Sequence, residues 1–153
     1  MAQLVRVLAP EDVDSIEYLE NASEVFESGY SLLYDDYLPS SKEFTKEKCT
    51  FVIDILELYS ILKYSNDKLG TNKVDPSRIV FYGFDGNNEY DYRGFCLFFV
   101  KRMNRFGELL SQENADLNSH FNMVDRYKLM LQRWDGMGRK DKLSKEEIEL
   151  IIG

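Results

Sequence analysis

The chain contains a single imidazole, His120, within Asn118-Ser119-His120 and ahead of an apolar run. One histidine cannot make the common zinc sites, and neither Cys49 nor Cys96 lies beside it in sequence, so no metal and no cofactor are expected. A cysteine–histidine nucleophile pair would need the fold to bring distant residues together. The loop Asp85-Gly86-Asn87-Asn88-Glu89 places oxygen-bearing side chains at alternate positions, as calcium loops do. An EF-hand loop requires Gly at its sixth position and a bidentate Glu at its twelfth; here those are Tyr90 and Cys96. A turn leading into an Asx-type helix cap is the simpler expectation. Any small-molecule chemistry would fall to Phe84, Asp85 and Asn87 of this loop, with His120 and Trp134.

Two further patterns carry charge. Gly136-Met137-Gly138-Arg139-Lys140 lacks the glycine spacing of a phosphate loop, the Ser or Thr after the lysine, and a strand before it. It reads as a helix end, where basic residues complement the dipole. The second pattern is an acidic row. Glu11 to Asp36 holds nine acids and no Lys or Arg, whereas residues 79–153 hold twelve acids against eleven bases. Glu17, Glu20, Glu24 and Glu27 recur at helical spacing and share one side. Over that stretch they place one carboxylate per about 5 Å of helix, close to the roughly 3.4 Å phosphate spacing of one DNA strand. A solvated face is the plain expectation, and a docking surface for a basic partner is the functional one.

The elements that must position these residues are helices. Residues 48–64 alternate polar Thr50, Asp54, Glu57, Ser60 and Lys63 with apolar and aromatic positions, so one narrow stripe is polar and the rest is buried. This is the predicted central helix, with an N-cap at Thr45 and a staple of Phe44 with Cys49. Ahead of it, Ile16, Leu19, Phe26, Tyr30 and Leu33 predict a helix over 11–34, with Gly29 placed to bend or end it. Residues 65–77 read as a loop and 79–84 as an extended segment or helical turn. Tyr92, Phe95, Cys96, Phe99, Met103 and Phe106 predict a helix that continues toward residue 107 and beyond. Met123, Tyr127, Met130, Leu131 and Trp134 predict another, closed by Gly136. Ser144 and Glu147 form a capping box with Leu143 and Ile148 as its staple. The expectation is a single compact all-α domain over 1–153, of about five helices packed around 48–64.

These residues together resemble the YfbU-like family of small, uncharacterised proteins. The resemblance starts near Gly29-Tyr30 and takes in Glu47-x-Cys49, the run at Val52–Tyr59 and the segment Gly83–Glu89. It continues through Asn118-Ser119-His120, Met123, Tyr127, Met130, Trp134 and Leu143–Ile148, about four-fifths of the chain in consistent order. The acidic stretch at about 11–36 is divergent from the family's pattern. The resemblance implies an all-helical fold and self-association, and it carries no reaction with it.

Composition narrows the function classes. A net charge of −8 disfavours direct binding to nucleic acid or to an anionic membrane. The two cysteines form no CxxC pair, in keeping with a reducing cytoplasm. The opening MAQLVRVLAP lacks a long apolar core and is followed by acids, so no secretory leader or membrane span is expected. The leading reading is a non-enzymatic helical protein acting through protein–protein contacts, as a homo-oligomer. The second is an acidic decoy inhibitor, of a kind phages carry, that occupies the basic nucleic-acid groove of another protein. The third is an enzyme or small-ligand binder using the 84–89 loop.

Overall fold

A computed structural model describes residues 13–37, 44–111 and 114–153. The described residues are all-α, with five helices of eight residues or more. They divide into two compact units, Met1–Glu43 and Phe44–Gly153.

The first unit holds helix α1, Val13–Ser28, a 3-10 turn at Ser31–Leu33 and the short helix α2, Tyr34–Tyr37. The expected helix over 11–34 therefore stops earlier. Gly29 takes a left-handed φ of 72°, and the Tyr30 N–H donates to Val25 O at 3.0 Å across it. That is the six-to-one bond of a Schellman ending, which a glycine admits without a Cβ penalty. The expected positions Glu11 and Asp12 lie outside the described residues. Val25 is buried, but Phe26, Tyr30 and Leu33 of the predicted apolar face are exposed.

The second unit is built around α3, Lys46–Lys68. Its N-cap is Thr45, whose hydroxyl accepts from Lys48 N at 3.4 Å, and the Cys49 thiol reaches Phe44 O at 3.7 Å. Val52, Ile55, Leu56, Leu58, Tyr59 and Leu62 are buried, and each fully buried side chain of this size contributes about 1.5–3 kcal/mol. The polar stripe emerges on the open side. Its Asp54 meets Arg139 Nη2 at 2.8 Å, and its Ser60 donates to Glu108 at 2.8 Å.

The helix runs four residues beyond the predicted end because its last polar side chains have buried partners. Ser65 Oγ accepts from Leu143 N at 3.1 Å. The Asn66 amide both donates to Val74 O and accepts from Val74 N, each at 2.8 Å. A 3-10 turn at Pro76–Ile79 follows, capped by Asp75. Residues 80–83 then run outside any helix or strand, and Phe84 makes one isolated parallel bridge with Asn118. No strand forms among the described residues, because this segment finds one paired residue and no ladder.

Helix α4, Tyr90–Leu97, ends in a π-turn at Phe98–Arg102. The predicted continuation toward 107 fails at Asn104 and Phe106, both left-handed at φ 53° and 55°. Met103 is therefore exposed rather than part of the apolar face. Helix α5, Val124–Gly136, buries Tyr127, Met130, Leu131 and Trp134. Its closing glycine is Gly138, at φ 74°, and not the predicted Gly136. Gly138 N and Arg139 N return to Asp135 O and Trp134 O at 2.9 and 3.0 Å, a full Schellman ending. Helix α6, Lys145–Ile152, starts at the expected capping box of Ser144 and Glu147, with Leu143 and Ile148 buried. Helices α4, α5 and α6 all pack on α3.

Between them lies an aromatic core. Tyr127 stacks on Phe81 at 5.7 Å between ring centroids and meets Phe84 edge-on at 5.4 Å. Phe84 in turn stacks on Tyr92 at 5.6 Å. Such pairs contribute about 0.5–1.5 kcal/mol each beyond their area. They hold the 80–84 segment against α5 and so place the loop that follows.

Candidate functional site

Phe84 anchors the loop and is fully buried. Just ahead of it, Gly83 sits at φ 84°, and a Cβ there would meet Leu117 O at 2.2 Å. Only glycine permits that approach, which lets Phe84 N donate to Leu117 O and Ser119 N to Phe84 O, both at 3.2 Å. The Tyr127 hydroxyl donates to Gly83 O at 2.9 Å. Burial pushes the Tyr127 hydroxyl well above its ordinary pKa, so it remains a donor.

The loop's polar atoms then turn inward. Asp85, itself buried, accepts from Asn87 N at 3.2 Å and from the Asn88 amide. These bonds, first that from the Asn87 backbone, hold its carboxyl below the usual carboxylate range, with a smaller contribution from the charge of His120. Gly86 N donates to Asn118 Oδ1 at 3.0 Å, and His120 N donates to the same oxygen at 3.2 Å.

Glu89 closes the knot. Its Oε2 accepts from Asp85 N at 3.1 Å, and its Oε1 accepts from Met123 N and Val124 N, both at 2.8 Å. The carboxylate thereby serves as the N-terminal cap of α5 from another part of the chain. That satisfies donors the helix itself leaves orphaned.

The loop thus brings together Phe84, Asp85, Asn87 and the His120 segment. His120 is exposed, with a left-handed φ of 60°, and Asn87 is exposed beside the buried Asp85. Trp134 is engaged elsewhere. Its indole N–H donates to Lys140 O at 2.9 Å, and the Arg139 guanidinium lies 5.1 Å over its ring. Trp134 follows Tyr127 by seven residues, about 10 Å farther along α5. Of the acidic row on α1, Glu17, Glu24 and Glu27 are exposed and Glu20 is half-buried; Glu27 also accepts from Ser23 Oγ at 3.1 Å.

Glu89, Asn66 and Asn114 carry much of this architecture and were not legible as special positions. Asn114 accepts from Ser111 N at 2.6 Å and donates to Leu109 O at 3.0 Å and to Phe81 O. The one local signal was an acid directly before an apolar helix, at Glu89.

Comparison with known proteins fixes the family. The description of a YfbU domain matches residues 1–153. The chain belongs to the YfbU family. A UPF0304 protein of Methanocaldococcus jannaschii is similar to it, 29% identical over an aligned length of 165 residues that covers 99% of this chain and 98% of that one. The family match thus extends across the acidic segment as well as the loop and the capping box. No described helix is long and apolar enough to cross a membrane.

Proposed function

We propose that this YfbU protein is a non-enzymatic helical module acting through protein–protein contacts in the cytoplasm, and that the contact it makes is with a second copy of itself. The observation that supports this is a concentration of uncovered apolar side chains in the first unit. Of the thirteen large apolar residues that stand exposed among the described residues, five lie between residues 18 and 33: Tyr18, Phe26, Tyr30, Leu32 and Leu33, with Leu32 at 91%. Singly exposed apolar residues are ordinary, but a concentration of them marks an interaction surface.

The acidic row runs along helix α1, on the side away from Phe26. A complementary surface exists at the end of α4, where Lys101, Arg102 and Arg105 are exposed together with Phe98 and Met103. None of the three bases forms an ion pair with a described residue. Acid meeting base around an apolar centre is the pattern of a specific protein interface. By contrast, the Asp85 and Glu89 carboxylates of the 84–89 loop are engaged in hydrogen bonds, which argues against a catalytic role there.

Sedimentation of wild type and two charge-reversed variants tests the proposal. Glu17, Glu24 and Glu27→Lys should dissociate the oligomer, Lys101, Arg102 and Arg105→Glu should do the same, and an equimolar mixture of the two should reassociate. Oligomers that persist in both variants would overturn self-association through these surfaces. An unaltered oligomer together with loss of a basic nucleic-acid-binding partner from the acidic-row variant would favour the decoy reading instead.

A further inference from the structure

On the second unit a cavity of about 230 Å³ opens between the Pro76–Ile79 turn, the 80–82 segment and the first turn of α5. Tyr59, Val80 and Met123 form its apolar side, and Arg78, Arg126 and Tyr82 stand around it. Ser77, Ile152 and Gly153 complete the lining, and no Asp or Glu side chain takes part in it. This is unusual ground in a chain of net charge −8. Both arginines are exposed, and neither guanidinium forms an ion pair or hydrogen bond with a described residue. The other cations near a carboxylate behave differently: Arg139 is held between Asp54 and Asp135 at 2.8 and 2.5 Å, and Arg93 lies 3.9 Å from Asp116.

Asp75 is the acid nearest to Arg78 in sequence. Its carboxylate is occupied by Ser77 N at 3.0 Å, and it feels the Arg78 charge without pairing to it. On the other side, the charge of Arg126 reaches Tyr59 on the cavity's apolar side. The N–H groups of Met123 and Val124 at the start of α5 are not available to a ligand, because Glu89 takes them. The charged donors that remain for an anion in the cavity are the two guanidinium groups.

We propose that this cavity is a binding site for a small phosphate monoester, its phosphate held by Arg78 and Arg126 and its organic part resting on Tyr82 and the apolar side. Two guanidinium groups match a phosphate dianion in charge and in donor geometry, whereas a carboxylate would neutralise only one of them. The cavity lies below the about 300–1,000 Å³ of drug-sized sites, which limits the ligand to a phosphate with a short body. Phe121, 6.4 Å from Tyr82 between ring centroids, extends the aromatic side and favours a planar organic part.

Titration calorimetry on the full chain at low ionic strength tests this, with phenyl phosphate, inorganic phosphate and benzoate as probes. Phenyl phosphate should bind saturably and tighter than either of the others. Arg78→Gln and Arg126→Gln should each weaken it about tenfold or more, as loss of a charge-assisted hydrogen bond does. The double variant should abolish binding, while Arg105→Gln leaves it unchanged. Both arginines are exposed, so circular dichroism should show the variants folded. Absence of saturable phenyl phosphate binding to wild type, equal or tighter binding of benzoate, or unaltered binding in the folded double variant would each overturn the proposal.

Discussion

Replacing Glu89 by Gln tests the claim that one carboxylate holds the loop and α5 together. The substitution keeps the size of the side chain and removes one acceptor oxygen. With the remaining oxygen kept on Met123 N and Val124 N, the new –NH2 group faces Asp85 N, donor against donor. A buried donor left without an acceptor costs about 1–3 kcal/mol, and the two retained bonds fall from the charge-assisted to the neutral class, about 1 kcal/mol each. The bonds share one group and do not add fully, so the expected loss is about 3 kcal/mol. Urea unfolding should show it as a lower midpoint at unchanged slope. Amide hydrogen exchange should accelerate first at Asp85, Met123 and Val124, ahead of the core of α3. Glu57→Gln, on the exposed stripe of α3, should stay within about 0.5 kcal/mol of wild type. If Glu89→Gln were equally mild and those three amides exchanged as before, the carboxylate would not be the cap that the geometry describes.

Leu56, fully buried at the middle of α3, should lose about 2–5 kcal/mol on replacement by Ala in the same urea assay. Gly83→Ala should destabilise by more than about 3 kcal/mol, because its Cβ would collide with the backbone of Leu117 in a left-handed conformation. Gly138→Ala has the same backbone sign but open space around it, and should cost about 1 kcal/mol in thermal melts. Acid should destabilise the fold below about pH 4. Asp85 and Glu147 have carboxyls held below their ordinary values, by the Asn87 backbone and by Lys140 respectively, so the folded state binds fewer protons than the unfolded one. Their stabilisation is complete above the unfolded pKa of about 4 and is lost as the pH falls through the folded values. Asp85→Asn should flatten that acid limb, measured as unfolding free energy against pH.

The helices were legible in the sequence because periodicity and capping are local. Thr45 and the pair Ser144 with Glu147 mark their caps by residue type alone, and the apolar spacing of α3 and α5 leaves little choice of face. The π-turn was not legible, since its sequence reads as a continuing helix; the break comes from left-handed Asn104 and Phe106 beyond it. The candidate loop was legible as a place but not as a mechanism. Asp85 and Asn87 have the composition of a ligand site, yet the loop is fixed by Asn118, which accepts from Gly86 N, and by Glu89, which accepts from Met123 N and Val124 N, between chain segments that no pattern links. Asn66 escaped for the same reason, because an amide that imitates a neighbouring backbone looks like any polar loop residue.

The Glu89 clamp also bears on how fast this protein reaches its fold. Helices form from neighbours within microseconds, and all-helical domains are accordingly among the fastest folders. Here the bonds that fix the loops span far greater distances along the chain. Glu89 to Met123 spans 34 residues, Tyr127 to Gly83 spans 44 and Leu143 to Ser65 spans 78. Closing each of those loops loses chain entropy before any of the buried bonds is gained. The protein is helical in content but non-local in wiring, and its folding rate should fall with the mixed α/β domains rather than with helical bundles of its size.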